Sequence, residues 1–424
     1  MTYVRTVLAA TTSLALATGG AAAGAAGVPD GRWGVDCAWP VMSTPEQFNV
    51  FWPDTNATYW VQPYIIGDDT TVTLRGTYPD VRYASFVVYD GFENGGGSFQ
   101  ANGVDSWITD YEIVADEGSV NPFATAGEPG GHFTVTLSDD ARPGDRNTIP
   151  LSSDEAEAGD TGLLIYRVYV PDGGDASQVP LPSVTITDAG SSTTLPGCTA
   201  RGGVQDLPAE VQQYLSPGDD PAVRSRERAA QDVSFERIDY SSLLPNPDSG
   251  YLISEWTPKR DEVMVVRGKA PSHIAGRSPA PWPRDGIDVR YWSMCSGLTD
   301  FKLSTVVNED ADGNALYGCA YDDETALDAD GFYTYVIGPE STRPQISGTD
   351  GLTFLPTSQR TPRTEHVLII RNMVPVDGFA ESILQVPYGS GAAAAADIMG
   401  DYYPVSGVCS ISTLTGNGAE ACLS

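Results

Sequence analysis

The chain has 424 residues and a net charge of −32, with lysine only at Lys259, Lys269 and Lys302. That length accommodates two or three domains. A surface so anionic repels phosphate backbones and acidic lipid, which excludes nucleic-acid binding and docking on anionic membranes; it reads first as a solvating shell for an extracellular or saline setting.

The N-terminal run "MTYVRTVLAATTSLALATGGAAAGAAG" has one early cation, Arg5, then a short apolar stretch and a small-residue tail. This is the layout of a cleavable signal peptide over 1–27, and it predicts export. The apolar stretch is shorter than the about 20 residues a bilayer span needs, and no later segment is long enough either, so the mature protein is expected to have no membrane span. Cys37, Cys198, Cys295, Cys319, Cys409 and Cys422 form an even set with no C-x-x-C pair. They suit disulfides in an oxidising compartment and argue against structural zinc. Proximity in sequence and domain suggests Cys37–Cys198, Cys295–Cys319 and Cys409–Cys422.

Beyond residue 28 the chain spells itself twice. "YWVQPYIIGDDTTVTLRG" (Tyr59 to Gly76) lies without a gap over "YLISEWTPKRDEVMVVRG" (Tyr251 to Gly268). "DVRY" occurs at Asp80 to Tyr83 and again at Asp288 to Tyr291, "GGHFTVTL" lies over "DGFYTYVI", and "LLIYRVYVPDG" over "VLIIRNMVPVDG". Four segments in one order predict a duplicated domain. Period-two alternation in "TVTLR" and "HFTVTL", bounded by Gly, Pro, Asp and Asn clusters, makes the repeated segments strands. The expected fold is mainly β: two tandem, internally duplicated antiparallel β-sandwich, jelly-roll-like domains at 28–200 and 236–424. A connector at 201–235 reads as partly helical, with "PAEVQQYL" and "PAVRSRERAAQ" each opening on proline.

The stretches "LRGTYPDVRYASFVVYD", "YEIVADEGSVNPF", "LIYRVYVPDGG", "VRYWSMCSG" and "VLIIRNMVPVDG" together resemble a group of secreted bacterial proteins with a duplicated β domain. More loosely, the strand-then-"YxPDG" ending is similar to an exported domain of unknown function. The resemblance implies export and a mainly β fold, and it transfers no catalytic residue.

Four arginines stand at repeat-related positions, Arg82 with Arg290 and Arg167 with Arg371. Arg167 shares a strand face with Leu163, Ile165 and Tyr169, which points its guanidinium inward and demands a partner; Asp80 and Asp288 are at hand. A paired arginine clamp for an anion is one expectation, and a structural ion pair kept by both copies is the other. Trp52, Tyr59, Trp60 and Tyr64 cluster early, and Trp256, Trp282, Tyr291 and Trp292 late. Trp60 and Trp292 are candidate platforms for a glycan or an aromatic molecule, although aromatics at period two also build cores. "NEDADGN" sets Asn308, Asp310 and Asp312 at the alternate spacing of a calcium loop, but its twelfth position is Cys319 rather than a bidentate glutamate. "LDADG" reads as a second, weaker acidic turn.

Catalytic motifs are sparse. Only His132, His273 and His366 could act as a histidine base, and neither G-x-S-x-G nor H-E-x-x-H occurs. Glu112, Asp116, Glu117, Asp322, Asp323 and Glu324 could supply a carboxylate pair, a weak signal among 56 acids. The expected function is therefore binding of a small molecule or glycan in a groove between the halves. An extracellular hydrolase and a structural envelope protein are the alternatives.

Overall fold

The computed structural model describes residues 35–90, 99–199, 233–238, 244–300, 302–346, 349 and 351–423. The expected signal peptide and the two expected connector helices lie outside these residues.

In the first half the strands are β1 (Val41–Ser43), β2 (Ala57–Ile65), β3 (Thr71–Thr77), β4 (Val81–Tyr89), β5 (Gln100–Ala101), β6 (Val104–Asp105), β7 (Trp107–Thr109), β8 (His132–Ser138), β9 (Thr148–Ile149), β10 (Thr161–Pro171), β11 (Ser183–Asp188) and β12 (Ser191–Thr194). They form sheets β1-β2-β10-β4-β7 and β12-β11-β3-β8-β9, plus a small β5-β6 hairpin. The chain changes sheet at β2 to β3 and again at β3 to β4. Inward residues of both sheets, among them Trp60, Leu74, Phe86, Phe133 and Tyr166, meet in one core.

The second half has β13 (Ser249–Trp256), β14 (Glu262–Lys269), β15 (Val289–Leu298), β16 (Val307–Glu309), β17 (Ala315–Tyr317), β18 (Cys319–Tyr321), β19 (Phe332–Gly338), β20 (Leu352–Pro356), β21 (His366–Pro375) and β22 (Val405–Ser410). Its sheets are β13-β21-β15-β18 and β20-β19-β14-β22, with a β16-β17 hairpin. Strand for strand, the order β2-β10-β4-β7 recurs as β13-β21-β15-β18, and β11-β3-β8-β9 recurs as β22-β14-β19-β20. The matched sequence runs occupy matched places in these sheets. One feature departs from the all-antiparallel expectation: β8–β9 and β19–β20 are parallel pairs, one in each half. The helices α1 (Arg343–Ile346), α2 (Gly391–Met399) and α3 (Ile411–Asn417) are short, and α2 caps the second core through Ala395 and Met399.

The inner sheets explain why β4 and β15 read as nearly unbroken apolar runs. Every residue of both strands is buried. One face packs into its own sandwich. The other meets the opposite half through Tyr83, Tyr169, Tyr291, Tyr321 and Met373. Strands buried on both faces lose the polar alternation of a solvated sheet. The three disulfides are Cys37–Cys198, Cys295–Cys319 and Cys409–Cys422, the pairing expected from the sequence.

Candidate functional site

The repeated "DVRY" is an interlock between the halves. Arg82 of β4 pairs with Asp322 and Asp323 of the second half. Arg290 of β15 pairs in return with Asp110 of the first half at 2.6 Å. Asp110 and Asp322 each follow the edge strand of their sheet, β7 and β18. The expected partners Asp80 and Asp288 are not used: Asp288 accepts from Ser272, and Asp80 makes no ion pair among the described residues. The tyrosines of the motif cross over as well. The Tyr83 hydroxyl donates to Asp248 at 2.5 Å and that of Tyr291 to Asp54 at 2.8 Å.

Opposite each of these arginines the neighbouring strand is distorted. Val170 and Val374 hold φ of 52° and 47°, outliers for a β-branched residue that cost about 1–3 kcal/mol each. Their amides turn to Asn56 and Asp248 carbonyls, and the strand registers skip Arg82 and Arg290. The Arg82 carbonyl, left outside the ladder, accepts two bonds from Arg290, at 3.1 and 2.9 Å.

Each half also sends an arm across the other. Residues 44–55 lie on the second half, where Trp52 donates its backbone amide to Leu303 at 2.6 Å and its indole N–H to Leu298 at 2.8 Å. The Trp52 ring rests on Gly297; a Cβ there would lie 2.6 Å from the ring. Residues 244–248 return the contact, the Tyr89 hydroxyl donating to Pro245. Trp52 and Leu244 are repeat-related, each before a proline, and both have positive φ, 49° and 50°. Arg371 donates to the Trp52 carbonyl at 2.6 Å and Arg167 to the Leu244 carbonyl at 2.7 Å.

Between arms and inner sheets lies a cavity of about 270 Å³. Its wall is mostly apolar, from Phe48, Phe51, Trp52, Leu163, Ile253 and Ile369, with Arg167 and Arg371 at its polar end and the exposed Tyr388 on its rim. Phe48 and Phe51 also have positive φ, 67° and 60°. With Trp52 and Leu244, four residues of the wall hold a conformation that large side chains rarely adopt. Burial raises the phenol pKa values of Tyr59 and Tyr169, so these wall residues are neutral.

Of the sequence candidates, Arg167 and Arg371 reach the cavity, whereas Arg82 and Arg290 are consumed in the interlock. Trp60 and Trp292 correct the expectation of aromatic platforms. They sit on the opposite faces of β2 and β15, fully inside the two sandwich cores. Trp52, on an arm, lines the cavity instead.

The calcium spacing does not become a ligand set. Asn308 is buried, its side chain donating to the Thr357 carbonyl and accepting from the Gln359 amide. Asp310 accepts from Asp312 and Asn314 within its own turn. The acid and cysteine groups close enough to share a cation, Asp54–Cys295–Cys319 and His273–Asp322–Asp323, include neither Asp310 nor Asp312 among the described residues. The first contains the disulfide sulfurs and the second already holds Arg82. "LDADG" is a turn capped by Asp328.

The histidines are scattered. His132 is exposed at the start of β8. His273 faces Asp323 at 3.2 Å. His366 is buried, donating to Thr364 and accepting from Ser358, and burial lowers its pKa to about 4. Glu112 and Asp116 bond locally to Thr109 and Thr134. Missed from the sequence were Asp54, Asp110 and both arms. Extending the gapless match upstream to "FWPDTNATYW" over "LLPNPDSGYL" would have exposed the arms.

No family model and no curated protein matches the chain. Among solved structures, an uncharacterised protein from Burkholderia cenocepacia superposes with a TM-score of 0.50 at 14% identity, covering 90% of this chain and 84% of that one. At that identity the likeness concerns the fold alone. An anti-sigma factor domain-containing protein from Clostridium clariflavum aligns at 9% identity over 77% of this chain and 81% of that one, with a TM-score of only 0.17, and carries no argument. No helix among the described residues is long and apolar enough to cross a membrane.

Proposed function

We propose that this chain is an exported binding protein in which two copies of one β-sandwich module hold a small, largely apolar molecule between them. The observation that carries the reading is the cavity at the inter-half seam, walled by arm residues in strained backbone conformations. Strain of this kind persists where the surroundings over-determine it, and it clusters at ligand clamps. A pocket with apolar walls and few polar groups, placed where two units meet, is the usual form of a small-molecule site. A glycan fits poorly, because most of its hydroxyls would face apolar walls without partners. Hydrolysis is disfavoured because His132, His273 and His366 all lie away from the cavity lining. Export is supported by the N-terminal pattern and the three disulfides.

The test is thermal. A neutral apolar probe such as 1-octanol should raise Tm in a concentration-dependent way, by mass action on the folded state. Ile369→Trp, which fills the cavity, should abolish the rise. An equal rise in that variant would place the binding elsewhere.

A further inference from the structure

Resting on that reading, we infer that the cavity selects a monoanion, an apolar molecule of about ten non-hydrogen atoms whose carboxylate docks on Nη1 of Arg167. Two repeat-related arginines, Arg167 and Arg371, line the cavity. Both are buried, with 4% and 3% exposure for Arg167 and Arg371. Both use Nη2 on the carbonyl of the opposing arm.

They differ at Nη1. That of Arg371 donates to Cys295 at 2.7 Å and lies 3.6 Å from the Asp54 carboxylate. That of Arg167 is buried with no hydrogen-bond partner. The sequence supplies the reason. In the register of the repeat, the place of Asp54 is taken by Asn246 and that of Cys295 by Val87. Asn246 is spent on the Tyr83 hydroxyl at 3.1 Å. Asp248, the buried acid at this end, accepts from Tyr83 and Thr109 and makes no ion pair with Arg167 among the described residues. Tyr59 and Tyr89 offer their ring faces at 5.9 and 5.4 Å and the Tyr89 hydroxyl interacts with the guanidinium, yet Nη1 itself has no hydrogen-bond partner.

A buried guanidinium with an unmet donor costs free energy unless an acceptor arrives. The half with Asn246 in the place of Asp54 is the one whose unmet Nη1 belongs to a residue lining the cavity. The acceptor that fits is a carboxylate, since a charge-assisted bond is about twice as strong as a neutral one. One unmet amino group, carrying two N–H bonds, is matched to one carboxylate head. A phosphate or other dianion would bring more charge into apolar walls than this single guanidinium group can satisfy. The size follows from volume: an apolar cavity of about 150 Å³ holds benzene, so 270 Å³ holds a body of about ten atoms, such as a medium-chain or aromatic acid.

The experiment compares octanoate with octanamide, of the same length and neutral, by calorimetric titration of the full mature chain. Octanoate should bind about ten- to a hundredfold tighter, the usual range for a hydrogen bond to a charged group. In Arg167→Met the preference should vanish, with octanoate losing far more affinity than octanamide, whose neutral carbonyl gives up only an ordinary hydrogen bond. Equal affinities in the wild type would overturn the anion assignment and leave the apolar cavity standing. Failure of both probes, together with no Tm response to 1-octanol, would overturn both readings. A preference that survives Arg167→Met but is lost in Arg371→Met would also overturn the assignment. Should Arg167→Met not fold, the wild-type ratio and its loss in Ile369→Trp decide the matter.

Discussion

Removing Arg290 should destabilise the protein in proportion to the charge left on Asp110. The Asp110 carboxylate is 2% exposed, accepts from the Ala84 amide at 2.7 Å and faces Arg290 at 2.6 Å. Burial pushes its pKa up to about 6 even against the pull of Arg290. In Arg290→Met at pH 8 the carboxylate remains buried without its counter-charge, a loss of about 3–5 kcal/mol. A carboxyl with a raised folded pKa binds its proton more readily folded than unfolded, so acidification favours the fold; without Arg290 that pKa rises further. Near pH 4 Asp110 is neutral in the variant, and what remains lost is the pair of bonds to the Arg82 carbonyl, about 1–2 kcal/mol. The penalty should therefore shrink by roughly half or more between pH 8 and pH 4. Urea unfolding followed by tryptophan fluorescence on wild type and variant at each pH measures it, and the wild-type subtraction cancels every other titrating group. Asp110→Asn in the Arg290→Met background should recover most of the loss at pH 8. A penalty independent of pH, or no recovery, would refute the account of a charge held by its opposite across the seam.

Three other outcomes follow from single features. Gly297→Ala places a Cβ 2.6 Å from the Trp52 ring and 2.9 Å from Val367, so it should cost about 1–3 kcal/mol by overpacking and shift Trp52 emission as the arm lifts. Cys37–Cys198 spans 161 residues and Cys409–Cys422 only 13; if chain entropy governs, replacing the first pair by serine should cost about 5 kcal/mol and the second about 3, readable as unequal drops in the urea midpoint. His366 is buried neutral, with its pKa lowered to about 4. Its share of stability is present above its unfolded pKa and lost as pH falls from about 6.5 towards 4, by up to about 3 kcal/mol. His366→Gln should flatten that part of the wild-type pH profile, and an unchanged profile would show that the ring is already charged in the fold.

The strands were legible because the sequence spells their pattern twice in the same order. "HFTVTL" alone is an ordinary alternating run, but its agreement with "FYTYVI" at the same place in a second series makes β8 and β19 secure. Cysteine pairing was legible for a similar reason, since each bridge closes within one half. The partners of Arg82 and Arg290 were hidden because Asp322 and Asp110 come from the other half of the chain, and no local spacing encodes a contact across 240 or 180 residues. Trp60 and Trp292 were misjudged because inner-sheet strands are apolar on both faces. Without polar alternation, nothing in the sequence tells the sandwich side from the seam. The calcium spacing misled because Asp and Asn at alternate positions before Gly also make a tight turn, in which their oxygens serve the turn's own amides.

An apolar seam alone would let two such modules slide, since burial of flat faces is non-directional. The charges remove that freedom. Arg82, Arg290 and Arg371 each meet an acid belonging to the opposite half, and any slip of one inner sheet over the other would strand all three pairs in a low-dielectric layer, at several kcal/mol apiece. The pairs act as a register device more than as a source of net stability. Arg167 sits in the same layer and is fixed by the same arms, yet it alone of the four makes no ion pair with an acid among the described residues. Its Nη2 anchors the opposing arm at the Leu244 carbonyl, and only its Nη1 is left for the acceptor inferred above.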